Sequence, residues 1–336
     1  MSITSRSTGC LMLAGILWCA AVQGGAGASA DSRPDAGSPN TVKVYMFLRD
    51  VFAVSGSEQT LAADVTVSAD WDDPRLAGRW PEPRSVALED AWNPSLMVLN
   101  RRDASPLLPQ RLLVQPSGHV TYQQRWSGSF SAPMDLRDFP LDEQRFSIQL
   151  VSLAGASEAV QLVPSDVARP NRAQHFSITD WSMGTAVLKQ QDVEPSPGMR
   201  RLPGVGLAWE GRRHHAYYMA RVMLPLVLIV FMGWTALLQD RTTAASRITV
   251  ASTAMLTLIA YRFSLGSELP NLAYLTRFDY FMSGSTILVF LVLLLVTISA
   301  RLISAGKGEL VDRLDRWARF GFPFVSVAMM ITVLTL

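Results

Sequence analysis

The chain has 336 residues, with 30 Lys plus Arg against 28 Asp plus Glu, a formal charge of +2. Hydrophobic residues make up 49% of it and charged residues only 17%, where a soluble domain carries about 25% charged. So high an apolar fraction excludes a long disordered chain, and the near-neutral charge excludes the basic footprint of a nucleic-acid binder.

Residues 1–30 read as a secretory signal peptide. Arg6 supplies the basic start, residues 10–22 (CLMLAGILWCAAV) a short apolar core, and Ala28-Ser29-Ala30 a small-residue cleavage site. The core is shorter than the ~20 residues a membrane span needs. Both cysteines, Cys10 and Cys19, lie in this segment. Cleavage after Ala30 therefore leaves no disulfide, thiol or cysteine metal site. Residues 31–40, rich in Pro, Ser and Gly, read as a disordered lead-in.

Residues 41–217 carry the pattern of an exported all-β domain. Val65, Val67, Ala69 and Trp71 share one face of a strand, as do Val120, Tyr122 and Trp126. Phe146, Ile148 and Leu150 alternate with Ser147 and Gln149 in the same way. Turn clusters such as Asp72-Asp73-Pro74 and Gln115-Pro116-Ser117-Gly118 separate these runs. Many short strands with frequent turns predict a β-sandwich.

After Tyr218 the composition changes abruptly, and residues 218–336 predict a transmembrane domain of four helices, about 218–238, 246–265, 279–301 and 318–336. Pro225 and Pro323 fall inside the first and last, where neighbouring helices can re-satisfy the backbone. An exported β-domain and four crossings place both the N-terminal domain and the C-terminus on the periplasmic or extracellular side. The loop between the third and fourth helices is then cytoplasmic, and its Arg301, Lys307, Arg313, Arg316 and Arg319 suit the positive-inside tendency.

The second helix is unlike the others, being rich in Thr, Ser and Ala. Thr249, Thr253, Leu256, Ala260 and Phe263 are spaced by 4, 3, 4 and 3 residues, one stripe of a 3.6-residue helix. Around a closed symmetry axis the threonines would form polar rings, and Leu256 and Phe263 hydrophobic constrictions that close by dewetting. The same small residues equally suit close helix packing.

Residues 134–144 (MDLRDFPLDEQ) resemble the signature loop of pentameric ligand-gated ion channels, the Cys-loop receptor superfamily. Other landmarks follow in order. Trp71-Asp72-Asp73-Pro74-Arg75-Leu76 resembles the W-x-D-x-R-L run, and Trp92-Asn93-Pro94 the W-x-P of binding loop A. Arg212-Arg213 with Tyr217-Tyr218, then Pro225, Leu269-Pro270 and Phe322-Pro323, resemble landmarks of the helical domain. The lack of cysteines about the signature loop is similar to the disulfide-free bacterial branch.

The resemblance covers about residues 41–336. It implies a homopentamer in the bacterial inner (plasma) membrane, with an agonist that is a small molecule or a proton. Inorganic ions pass, membrane lipid surrounds it, and no cofactor or metal is needed. Carried over by position, Leu256 is the central gate, Thr249 and Thr253 the cytoplasmic-side rings, and Ala260 and Phe263 the outer half of the pore. Asp142 is expected to pair with Arg213, with Glu58 joining them, as a coupling element or as a purely structural salt bridge. Phe139 and Pro140 are expected against the loop after the second helix, around residues 270–274, beginning at Pro270.

Two departures bear on function. Cation-selective relatives place a Glu beside the position of Arg247, where this chain reads Ala244-Ala245-Ser246-Arg247. That mouth is closer to the anion-channel pattern, with Glu268 at the outer end, so the expectation leans to an anion-permeable or weakly selective pore. The equivalents of loops B (residues 151–155) and C (residues 190–206) carry no aromatic, which leaves no cation–π cage for an amine. Trp71, Trp92, Val151 and Leu153 are the ligand-site candidates, with a core position the preferred reading of both tryptophans. His214 and His215 at the domain junction are candidate proton sensors. A membrane-anchored, non-conducting receptor is the rival reading. No HExxH, GxSxG or phosphate loop is present, so an enzyme is not expected.

Overall fold

A computed structural model describes residues 33–35, 38–155, 159–166, 169–195, 197–240, 243–266 and 274–335. The expected signal peptide, Glu268 and Pro270 lie outside the described residues.

The strands in chain order are β1 (Asn40–Ser55), β2 (Thr60–Asp72), β3 (Arg84–Ala87), β4 (Leu96–Val98), β5 (Ser105–Pro106) and β6 (Arg111–Val114). They continue with β7 (His119–Ser131), β8 (Glu143–Ser152), β9 (Val160–Pro164), β10 (Trp181–Met183), β11 (Val187–Gln190) and β12 (Gly204–Arg213). One sheet runs β3-β6-β7-β2-β1-β9, with β5 on β7; the other runs β10-β12-β8-β4, with β11 on β12. Val65, Val67, Ala69 and Trp71 of β2 are buried, as are Phe146, Ile148 and Leu150 of β8, within one apolar cluster. The period-2 alternation thus marks the inward faces of the sandwich. Gln124 is also buried between Tyr122 and Trp126. Its amide is satisfied by donating to the Leu108 carbonyl at 2.9 Å and accepting from the Leu108 N–H at 2.9 Å.

The helical part starts with the short α1 (His215–Tyr218), runs through a π-turn at Met219–Met223, and continues as α2 (Leu224–Leu238). The π-turn ends beside Pro225, whose missing N–H and ring disfavour a regular α-ladder. α3 (Ala244–Gly266), α4 (Arg277–Ser304) and α5 (Gly308–Thr335) follow. Thr276 caps α4: its hydroxyl accepts from the Asp279 N–H while the Asp279 carboxylate accepts from the Thr276 N–H.

The expected loop between the last two helices is corrected by the structure. Three residues, Ala305 to Lys307, connect α4 to α5, and Arg313, Arg316 and Arg319 are helical. Gly306 takes a φ of +74°. Its N–H donates to the Ile303 carbonyl and that of Lys307 to the Leu302 carbonyl, closing α4 in a Schellman turn. α5 then begins as an amphipathic segment, with Val311 and Asp315 buried on one face and Arg313 and Arg316 exposed. Among the described residues, three helical stretches are long and apolar enough to cross a membrane: Met219–Leu238, Ala244–Leu265 and Arg277–Ser304. The α3 stretch is the least apolar of them. The fourth expected crossing, in α5, is not among the three.

Candidate functional site

The junction between sandwich and helices is built on strand register. β12 pairs antiparallel with β8, with Arg212 opposite Glu143, so the next residues outward, Arg213 and Asp142, face each other at the end of the sheet. Arg213 Nε donates to Asp142 Oδ1 at 2.8 Å and Nη2 to Oδ2 at 3.3 Å. The two side chains are 5% and 1% exposed. Gln144 Nε2 donates to the same carboxylate at 2.9 Å, and Arg213 Nη1 to the Tyr218 hydroxyl at 3.2 Å. The guanidinium also lies 4.3 Å from the Trp181 ring centre and 5.1 Å from that of Phe139. A buried ion pair is tolerated only when its remaining donors and acceptors are satisfied in this way. Burial pushes the Tyr218 phenol above its ordinary value, and the neighbouring Arg213 charge opposes that shift.

The loop from Met134 to Asp142 carries this anchor to the helices. The Leu136 N–H donates to the Tyr274 hydroxyl at 3.0 Å. The Arg277 N–H donates to the Arg137 carbonyl at 2.9 Å, and the Arg277 guanidinium pairs with Asp138 at 2.8 Å. Phe139 packs edge-on to Tyr218 and Phe278, with ring centres 5.3 and 6.4 Å apart. Pro140 borders a small apolar gap with Met219, Met223 and Phe278. The loop therefore touches the start of α4 and the lead-in to α2, as well as Tyr274 within the expected 270–274 segment.

Glu58 does not join the Asp142–Arg213 pair. Its side chain is exposed, and its backbone carbonyl accepts from Arg102 at 2.7 Å. A lone carboxylate stays in water when no buried cation is left unpaired. Gln59 makes the link instead. Held at a φ of +54°, its amide oxygen accepts from the Met134 N–H at 2.5 Å and its backbone carbonyl from the Ala132 N–H at 2.9 Å. Only the left-handed backbone at Gln59, a feature of the turn and not of its residue type, marks it out. A cavity of about 720 Å³ sits beside this junction, bordered by Val54, Leu136, Asp180, His214, Arg221 and Leu265. His214 and His215 are both exposed.

Three of the four ligand-site candidates lie in the core. Trp71 and Trp92 are 3% and 4% exposed and meet edge-to-face at 5.8 Å, and Val151 is fully buried. Trp71 is at an inward position of β2 and Trp92 is in the segment before β4, both inside the apolar cluster, whereas Val151 is on the opposite face of β8 from Phe146, Ile148 and Leu150. Leu153 alone is exposed, and it borders a 460 Å³ cleft with Asn93, Met97, Arg101 and Tyr122. Among the described residues no three His, Cys, Asp or Glu side chains converge on a metal-sized site.

On α3 the two faces differ. Ala251, Ala254 and Leu258 are buried against neighbouring helices, while Thr249, Thr253, Leu256, Ala260 and Phe263 are exposed. Leu256 is 69% and Phe263 80% exposed. The Thr249, Thr253 and Thr257 hydroxyls each donate to the carbonyl four residues earlier, at 2.8 to 2.9 Å. Their donors are used, so the oxygens present lone pairs outward. Arg247 departs from its expected place at the mouth. It is 2% exposed, with Nη1 donating to Asp315 Oδ2 at 3.0 Å and Nε to the Ala236 carbonyl at 3.0 Å. It lies on the same face as Ala251, Ala254 and Leu258, opposite the threonines.

A family model described as the neurotransmitter-gated ion-channel ligand binding domain matches residues 29–196. The chain is 23% identical over 317 residues to the proton-gated ion channel of Gloeobacter violaceus, a match covering 93% of this chain and 87% of that protein. It is 20% identical over 261 residues to the glutamate-gated chloride channel of Drosophila melanogaster, covering 75% of this chain and 57% of that protein. Both relatives are named as gated ion channels, and neither as an enzyme.

Proposed function

Because the chain belongs to the neurotransmitter-gated ion-channel family, a family of ligand-gated membrane channels, we propose that five copies assemble around an axis lined by α3. The observation that carries this reading is the exposed stripe from Thr249 to Phe263 on a helix whose opposite face is packed. An apolar side chain as exposed as Leu256 on an otherwise partnered helix calls for a neighbour or a lumen. A ring of Leu256 side chains is the gate, closing by dewetting, and the threonine rings replace part of an ion's hydration.

The β-domain is the sensor. A ligand or proton bound on the periplasmic side shifts the sandwich, and the Asp142–Arg213 anchor moves the 134–142 loop. Through Tyr274 and Arg277 that loop tilts the start of α4 and, with it, α3. The bacterial inner membrane is the proposed site, with the β-domain and the C-terminus both periplasmic. Selectivity is weak, since the α3 mouth has no acidic ring and Arg247 is turned inward. A proton is one agonist class, supported by the name of the Gloeobacter relative; an anionic small molecule is the other, supported by that of the fly relative.

Current recording from the purified chain in lipid bilayers tests the reading, with salt gradient, pH and candidate ligands varied. Discrete currents evoked by one of these stimuli are expected. A chain that inserts and assembles but passes no current under any of them is a receptor of another kind.

A further inference from the structure

At the end of the bundle away from the β-domain, four helices meet at one buried ion pair. Arg247 of α3 and Asp315 of α5 are each 2% exposed and pair at 3.0 Å. Arg247 Nε donates to the Ala236 carbonyl, one of the last carbonyls of α2, which no intrahelical N–H reaches. Ser299 of α4 donates to the other oxygen of Asp315 at 3.5 Å. Arg319 of α5 repeats the device one residue along α2, with Nε donating to the Leu237 carbonyl at 2.7 Å.

Of the charged residues in α3, only Arg247 and Arg262 occur between Ala244 and Gly266. Arg247 is thus the one formal charge that the N-terminal turns of the pore helix carry, and it stands two residues before Thr249. We propose that Asp315 is a specificity-determining positioning residue: by holding the Arg247 guanidinium inside each subunit, it keeps a ring of positive charge out of the pore mouth. The inference rests on the reading of α3 as the pore wall. Its basis is that keeping a guanidinium buried without its carboxylate partner is strongly unfavourable, which favours exposure at a helix end. Long Arg side chains at a helix end swing toward water instead, and on the pore reading the mouth is the water that the first turns of α3 border. Charge exposed there attracts anions and repels cations.

Reversal potentials in a sodium chloride gradient test this on the reconstituted full chain. Arg247→Gln changes the chloride-to-sodium permeability ratio less than about twofold, because the charge it removes is not in the lumen. Asp315→Asn raises the ratio at least about threefold, and Arg247→Gln with Asp315→Asn returns it to the wild-type value. A purely structural pair would alter expression or stability without moving this ratio. A shift toward sodium in Arg247→Gln alone overturns the inference, as does an unmoved ratio in Asp315→Asn.

If Asp315→Asn does not assemble, Arg247→Gln still tests the placement, since a shift of the ratio toward sodium overturns the inference. If the wild type passes no current, the channel reading fails and thiol labelling decides the placement separately. Arg247→Cys in the neutral Asp315→Asn background should resist a charged thiol reagent that modifies Ala245→Cys. Equal labelling of the two overturns the inference.

Discussion

Arg213 holds Asp142 by two hydrogen bonds at the end of the β8–β12 pair, where the signature loop and the lead-in to α2 meet. Every polar atom of the carboxylate and most of the guanidinium is engaged, and three aromatic rings lie within 5.4 Å of the guanidinium carbon. Asp142→Asn leaves a buried, unpaired cation and is expected to destabilise the chain by about 3–5 kcal/mol. Thermal unfolding in detergent reads this, and Arg213→Gln added to Asp142→Asn should recover part of the loss. Equal stability of Asp142→Asn and wild type would mean that the pair is not dehydrated.

The β1–β2 turn reaches the signature loop through Gln59, so substitutions at adjacent positions should differ. Gln59→Ala removes acceptance from the Met134 N–H and is expected to cost about 1–3 kcal/mol, that of an orphaned buried donor. Glu58→Ala, at an exposed side chain, should change stability by less than about 0.5 kcal/mol. Unfolding midpoints of the two variants, compared side by side, check the ranking.

Leu256 is the proposed constriction. Leu256→Thr replaces an apolar ring with one that water wets, so opening should become easier and the stimulus needed for half-maximal current should fall. Unaltered dose dependence in this variant would place the gate at another ring, with Phe263 next in line.

The Arg277–Asp138 pair joins the loop to the first turn of α4 at 2.8 Å, with Asp138 more than half exposed. Its worth to stability is small, since exposed pairs contribute about 0–1 kcal/mol. Asp138→Asn is therefore expected to leave the unfolding midpoint nearly unmoved while changing the rate of channel opening, read from the rise of current after a jump in stimulus.

How much of this was open to the sequence depends on whether the cause is local. The inward faces of β2 and β8 are legible because a strand's period of 2 writes burial directly into Val65, Val67 and Phe146, Ile148, Leu150. The α3 stripe is legible for the same reason at a period of 3.6. The start of α5 is not. Arg313 and Arg316 suggest a loop by composition, but Val311 and Asp315, one turn apart, are buried and make the segment a helix. Arg247 likewise reads as a mouth residue because its partner, Asp315, stands 68 positions away. Trp71 and Trp92 need the sandwich before their burial is visible. Gln59 owes its placement to backbone geometry at a turn, and its side-chain link to Met134 spans 75 positions, which no local pattern records.

The claim that α3 lines a conducting pore is tested most directly by thiol block at two neighbouring positions. Thr253 is exposed and Ala254 fully buried on the same helix. In reconstituted channels, a charged thiol reagent should abolish current through Thr253→Cys and leave current through Ala254→Cys unchanged. Block of Ala254→Cys with Thr253→Cys spared, or block of neither in a conducting channel, contradicts the account.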